Sequence, residues 1–270
     1  MDESSTSDEV AGFRATLRSN PAGHWLSTPS PQVAEQLAST DADFVVVDTE
    51  HAPTEMESVE AAVRAVDAAN GRGESGDADG DADTAAVVRV AWNDHVRIKR
   101  VLDTGAAGVM APQVNTVDQA ESFVEAARYP PAGRRGVAGT RSSGYGTDLD
   151  DYYATANDRV GTIAQVETGE AVANAGDISR VESLDALLVG PADLSADLGV
   201  FGAYDDETFV SAVETVVDES AVPVGTLATS LAEVEYWSEL GYDYQIVGVD
   251  AGYLQSGARA ALERYRASKN

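Results

Sequence analysis

The chain has 270 residues, 43% of them hydrophobic, with 46 acidic against 18 basic residues and a formal net charge of −28. A surface this acidic repels nucleic acid and anionic membranes, which excludes both as partners. The absence of cysteine excludes disulfides, thiolate metal sites and cysteine nucleophiles.

Only two lysines are present, Lys99 and Lys269. An acid-rich, lysine-poor composition is expected of a halophile's cytoplasmic protein, where dissolved salt screens the self-repulsion. Residues 1–10 are acidic and polar, the reverse of a signal peptide, and no apolar run reaches the roughly 20 residues that span a bilayer. A cytoplasmic enzyme is the expectation.

Short β-branched runs alternate with segments of helical period. A strand over Gly23–Leu26 carries His24, placed where it can point into a site, and a helix follows over Ser30–Ser39. The strand Phe44–Val47 runs into Asp48, Glu50 and His51 before a helix over Glu55–Ala69. Gly71–Thr84 has no apolar side chain larger than alanine and reads as an acidic, solvated insert. Its aspartates alternate as in a calcium loop, but the glycine and closing glutamate of an EF-hand are misplaced. The third strand, Ala86–Val90, contains Arg89, and Asp94–Thr104 is helical. Gly108–Ala111 is followed by Gln113 and a helix over Val117–Ala127. The long connection Tyr129–Tyr153 carries YPPAGRRG and RSSGYG, and a loop of that length is usually functional or part of an interface. Thr162–Val166 leads into Glu167 and a helix over Gly169–Arg180. Ala186–Val189 leads towards Asp193, then a helix over Glu207–Asp218. Val222–Thr226, a helix over Leu231–Leu240, Gln245–Val249 and a helix over Tyr253–Ser268 complete the chain.

Eight strands alternating with helices predict a parallel (β/α)8 TIM barrel, one domain over residues 11–270 behind an acidic segment, 1–10. Periodicity alone also permits an open doubly wound sheet. In a barrel, chemistry gathers at the C-terminal strand ends. The polar residues there are Asp48, Glu50, His51, Arg89, Gln113, Gln165, Glu167, Asp193 and Asp250.

Glu167 and Asp193 lie 26 positions apart, one βα unit, and so end neighbouring strands. Two carboxylates without cysteine specify a hard divalent cation, Mg²⁺ or Mn²⁺. The competing reading is helix capping, since Thr168 and Asp193 both precede helical stretches. His51, beside two acids, has the setting of a general base. Arg89 ends a buried run and needs an anion, for which a substrate carboxylate or enolate is the natural choice. Neither lysine ends a strand, so a Schiff-base aldolase is excluded, and an aldolase on this scaffold would need a metal. No GxSxG, Walker or GxGxxG motif is present.

The blocks DTEHAP (48–53), VVRVAWND (87–94), LDTGAAGVMAPQV (102–114), ARYPPAGRRGV (127–137), QVETGEAVAN (165–174) and VGPADLSADLG (189–199) together resemble the HpcH/HpaI aldolase family. The likeness is to its 4-hydroxy-2-oxoheptanedioate and 2-dehydro-3-deoxy-sugar-acid aldolase branch. The resemblance implies a class II cleavage of a 4-hydroxy-2-oxo acid to pyruvate and an aldehyde, with Mg²⁺, Mn²⁺ or Co²⁺ on Glu167 and Asp193. It implies that Arg89 stabilises the enolate, that His51 is the base and that Asp103 is its acidic partner. Gln165 falls near the metal, the Gly190–Pro191–Ala192 backbone cradles the substrate carboxylate, and Leu227 affects aldehyde selectivity. Asp48 joins the substrate site. The family's assembly implies a homo-oligomer, a hexamer with the last helix packed on a neighbour. The chain departs from the family at Gly169, usually basic, and at Ala91, usually proline. Three alternatives stay open: a citramalyl- or malyl-CoA lyase, an oxaloacetate decarboxylase, and a non-catalytic barrel that binds a metabolite or partner.

Overall fold

The computed structural model describes residues 12–70 and 83–269, so the N-terminal ten residues and the acidic insert up to residue 82 lie outside the described residues. Eight strands, β1 (Ala22–Leu26), β2 (Phe44–Asp48), β3 (Ala85–Arg89), β4 (Gly108–Ala111), β5 (Gly161–Val166), β6 (Ala186–Val189), β7 (Val224–Leu227) and β8 (Tyr244–Val249), close into a barrel in sequence order. Every neighbouring pair is parallel, and the pairing of β1 with β8 closes the sheet, which decides for the barrel over the open sheet. All predicted strands are found to within two residues.

Both faces of these strands are covered, so they read as continuous apolar runs rather than alternating ones. Along β2, Phe44 and Val46 fill the barrel interior while Val45 and Val47 meet the surrounding helices. The helices are α1 (Phe13–Thr16), α2 (Pro31–Ala38), α3 (Met56–Asn70), α4 (His95–Asp103), α5 (Val117–Ala127), α6 (Leu149–Arg159), α7 (Gly169–Ser179), α8 (Pro191–Asp197), α9 (Glu207–Glu219), α10 (Leu231–Glu239) and α11 (Asp250–Ala267). In α5, a capping box between Thr116 and Gln119 starts the helix, and Ala120, Phe123, Val124 and Ala127 form its buried stripe.

Three helices escape sequence reading. The helix α8 is a seven-residue turn whose one large apolar residue, Leu194, gives no period to detect. The helix α6 is acid-rich and buries only Ala156; with a 3₁₀ turn over Arg141–Gly146 it occupies much of the expected long connection. The short α1 is a plug. Its Phe13 ring lies across Gly108 and Gly161, where a Cβ would stand 2.7 and 2.5 Å from the ring carbon. Phe44 and Tyr244 occupy similar space above Gly23 and Gly225. Three aromatic rings thus fill the barrel floor because four glycines make room for them.

A buried ion network joins the floor to its surroundings. Arg128 is wholly buried and donates to the Val160 carbonyl at 2.7 Å, the Ser183 carbonyl at 2.9 Å and Asp185 Oδ2 at 2.8 Å. Asp185 Oδ1 accepts from Arg14 Nε of α1 at 2.6 Å, and its Oδ2 also accepts from the Thr162 amide at 2.9 Å. One carboxylate therefore ties α1, β5 and the end of α5 together.

The last helix differs from the others. From Gly252 to Lys269 every residue is exposed. Leu254, Leu262 and Tyr265 follow helical spacing on one face and are all exposed, so the barrel leaves this apolar stripe uncovered.

Replacing Asp185 by Asn leaves Arg128 buried without its counter-ion, and we expect a loss of about 3–5 kcal/mol. Chemical denaturation at fixed high salt reads it; an unchanged midpoint would contradict this account of the floor.

Candidate active site

The register of β2 on β3 pairs Asp48 with Arg89, the last residue of each strand. Both side chains face inward and meet as a fork: Arg89 Nε and Nη2 donate to Asp48 Oδ1 and Oδ2, each at 2.9 Å. Arg89 Nη1 lies 2.7 Å from Glu50 Oε2, and the guanidinium stacks 4.5 Å from the Trp25 ring centroid. The anion that Arg89 requires is thus supplied first by the chain itself, a correction to the expectation that substrate alone would provide it. Two of its five N–H groups are hydrogen-bonded, both to Asp48, while Nη1 meets Glu50 as an ion pair whose Oε2 accepts no hydrogen bond.

Asp48 also shapes the following turn, its Oδ1 accepting the amides of Glu50 at 2.9 Å and His51 at 3.4 Å. Burial pushes the Glu50 carboxyl above its ordinary range, against the pull of Arg89 and His51. The His51 side chain is 70% exposed at the mouth, with Nε2 3.9 Å from Glu50 Oε1.

Glu167 follows β5 and is only 2% exposed. Gln113 donates to its Oε2 twice, from the backbone amide and from Nε2, both at 3.0 Å. Gln165 Nε2 donates to Oε1 at 2.8 Å. Gln113 achieves this double contact with a left-handed backbone, φ 55°. Despite these donors, burial drives the Glu167 carboxyl up to about 7, with Asp193 and Glu50 adding repulsion.

Asp193 is exposed in the first turn of α8. The cap of that helix is Gly190, whose carbonyl receives the Leu194 amide at 3.0 Å, so Asp193 does not cap. Thr168 does cap α7, accepting the Ala171 amide at 3.1 Å. The capping reading therefore holds for Thr168 and leaves Asp193 free for other work.

Trp25, His51, Arg89, Gln165 and Glu167 line a cavity of about 170 Å³ with Leu188, Leu227 and the Gly190–Asp193 turn. Nine sequence-selected residues thus meet around one space: His51, Arg89, Gln165, Glu167, Gly190, Pro191, Ala192, Asp193 and Leu227. Of two larger cavities of about 500 Å³, one lies on the barrel's flank beside Asp103 and Arg141, and the other lies between the connections that follow β2 and β3, outside the Glu167 cavity. Asp103 lines the flank cavity. At the end of α4 it pairs with the buried Arg135 at 3.3 Å, and so is not brought to His51 within one chain.

Two other residues are placed away from chemistry. His24 points outward, not into the mouth: it meets the Tyr253 hydroxyl at 2.7 Å and Thr40 Oγ1 at 2.9 Å. It faces the helix layer because Gly23 and Trp25 take the inward positions of β1. Asp250 accepts the Ser27 amide and hydroxyl and the Thr28 amide, tying the β1–α2 loop to α11. Burial pushes its carboxyl up, and these hydrogen bonds outweigh that and hold it below its usual range.

The donor set fits a hard cation. Among the described residues no three acidic or histidine side chains converge as a ready metal cage, so Glu167 and Asp193 would be joined by substrate and water oxygens. Buried Gln165 Oε1 has no hydrogen-bond partner. At Gly190 a Cβ would lie 3.0 Å from Glu167 Oε1, so only glycine keeps that oxygen open. A positive charge here would relieve the repulsion that raises Glu167.

Sequence reading passes over Trp25, and it places Gln113 just beyond β4 without foreseeing its clamp on Glu167. Trp25 looks like ordinary core, and the clamp depends on a backbone angle that no residue type announces.

Residues 22–256 match the model of the HpcH/HpaI aldolase/citrate lyase family. The chain is 37% identical to a 4-hydroxy-2-oxovalerate aldolase from Novosphingobium aromaticivorans over 95% of each chain. It is 35% identical to a 4-hydroxy-2-oxo-heptane-1,7-dioate aldolase from Salmonella dublin, covering 92% of this chain and 91% of that one. A solved HpcH/HpaI aldolase/citrate lyase family protein from Burkholderia cenocepacia J2315 superposes with a TM-score of 0.86 at 34% identity, over 94% of this chain and 98% of that one. With the barrel and the strand-end cavity in agreement, the chain belongs to the HpcH/HpaI aldolase/citrate lyase family.

Proposed function

We propose that this carbon–carbon lyase reversibly cleaves 4-hydroxy-2-oxo acids to pyruvate and an aldehyde, with a divalent cation on Glu167 and Asp193. The observation that carries this reading is a nearly buried carboxylate, Glu167, raised to about 7, sharing a small cavity with Arg89 and Asp193. Its relatives are named for the same reaction class.

A bound Mg²⁺, Mn²⁺ or Co²⁺ supplies the electrophile that stabilises charge developing on the 2-oxo oxygen. Arg89, held by the Asp48 fork, offers its unbonded N–H groups to the same oxygen. The Gly190–Ala192 backbone receives the substrate carboxylate. His51 takes the 4-hydroxyl proton as the C3–C4 bond breaks, leaving that electron pair on the pyruvate unit, which is then protonated at C3. Leu227 and Trp25 border the space left for the C4 substituent. Asp103, committed to Arg135 on the flank, is given no role within a single chain.

The uncovered stripe on α11 supports a homo-oligomer, a hexamer by the family's assembly, with this helix seated on a neighbouring copy.

Three expectations test this reading. Glu167 has a raised folded-state pKa, so its contribution to the metal-free protein is full below about 4.5 and is lost as pH rises through about 7. Relative to Glu167→Gln, the metal-free protein should lose on the order of 3 kcal/mol across that window, and added Mn²⁺ should restore it. Parallel denaturation curves at constant salt would settle the matter, and parallel pH profiles for the two proteins would sink it. Replacing His51 by Ala should lower kcat for pyruvate release by about 10²–10⁴-fold and leave the melting temperature unchanged, because the side chain is exposed. Replacing Leu254 and Leu262 together by Glu should leave the barrel folded but yield a monomer by light scattering; an unaltered mass would rule out α11 as the contact.

A further inference from the structure

We infer that the aldehyde partner carries an uncharged, apolar substituent, so that the substrates are 4-hydroxy-2-oxo monocarboxylic acids rather than dicarboxylic ones. The inference rests on the aldolase reading above and narrows it.

The C4 substituent points out of the cavity towards the connections that follow each strand. These connections run over residues 27–30, 49–55, 90–94, 112–116, 167–168, 190–206 and 228–230, and β8 passes directly into α11. They contain no lysine or arginine, but besides Glu167 and Asp193, whose charge the cation would cancel, they carry six acids: Glu50, Glu55, Asp94, Asp197, Asp205 and Asp206. His51 is the one residue there able to carry positive charge. Inside the cavity the wall holds a single guanidinium, Arg89, with Asp48 and Glu50 already on it. In the aldolase reading its remaining N–H groups serve the 2-oxo end of the substrate. A second carboxylate therefore meets no lysine or arginine on these connections and no cation but Arg89 in the cavity wall.

A carboxylate brought into such a setting loses hydration without gaining a partner and lies among like charges. An alkyl tail meets the opposite conditions. Trp25, Leu188 and Leu227 supply apolar wall. Trp92 and Phe201, on two of the same connections, and Leu231, the first residue of α10, are 57%, 75% and 84% exposed and give the rim apolar surface. Burial of methylenes against such a wall favours the tail that has no charge.

The test compares two substrates with one seven-carbon skeleton, 4-hydroxy-2-oxoheptanoate and 4-hydroxy-2-oxoheptanedioate. They differ only in whether the far carbon is a methyl or a carboxylate. Pyruvate release by the full-length protein is measured with saturating Mn²⁺ at low and at multimolar salt. The expected result is a kcat/KM at least about tenfold higher for the monocarboxylate at both salt concentrations, because contacts inside the cavity are screened little by bulk ions. Equal or faster cleavage of the dicarboxylate at either salt concentration overturns the inference and leaves the aldolase reading standing. Pyruvate from neither substrate overturns both.

Discussion

The cavity is organised around one permanent positive charge. Arg89 ends β3 facing inward, and Asp48, Glu50, Glu167 and Asp193 are gathered about it or across the cavity from it. A single guanidinium cannot balance so many acids at close range, and their repulsion adds to the burial that chiefly raises the Glu167 pKa. From this imbalance follow the need for a cation, the fixed angle of Arg89 and the poor reception offered to a second anion. Even His51 depends on it, since its amide rests on the same Asp48 oxygen that takes Arg89 Nε.

The two ends of the barrel divide the labour. The floor is filled by Phe13, Phe44 and Tyr244 over glycines and is held by Arg128 and Asp185, whose terminal nitrogens and carboxylate oxygens find partners within the chain while Arg128 Nε finds none. The mouth holds groups whose requirements the chain leaves partly unmet: an exposed imidazole, a buried amide oxygen without a partner and a carboxylate that is hard to ionise. Unmet requirements of this kind at strand ends are what a substrate can complete.

Much of this was legible in the sequence, for identifiable reasons. The strands are short β-branched runs, so their ends could be located, and the polar residues just beyond them had to face the mouth. That logic reached His51, Arg89, Gln165, Glu167 and Asp193 without knowledge of distances. It failed where the answer lay in pairing. Asp48 and Arg89 are 41 residues apart, and only the β2–β3 register makes them a fork. His24 looked like a mouth residue until the inward positions of β1 proved to be those of Gly23 and Trp25. The helix α8 was too short to show a period, so a capping role for Asp193 stayed open until Gly190 proved to hold that position.

Gln113 shows what such a site asks of the backbone. Its φ of 55° belongs to a region where glycine sits without strain and a side chain costs about 1–2 kcal/mol. Glycine would satisfy the turn and keep the amide on Glu167, but it would remove the second donor from the same oxygen. The residue that best suits the chain and the residue that best suits the carboxylate are therefore different. At this position the most stable version of the protein and the best-prepared one part company, and the sequence has settled on the second.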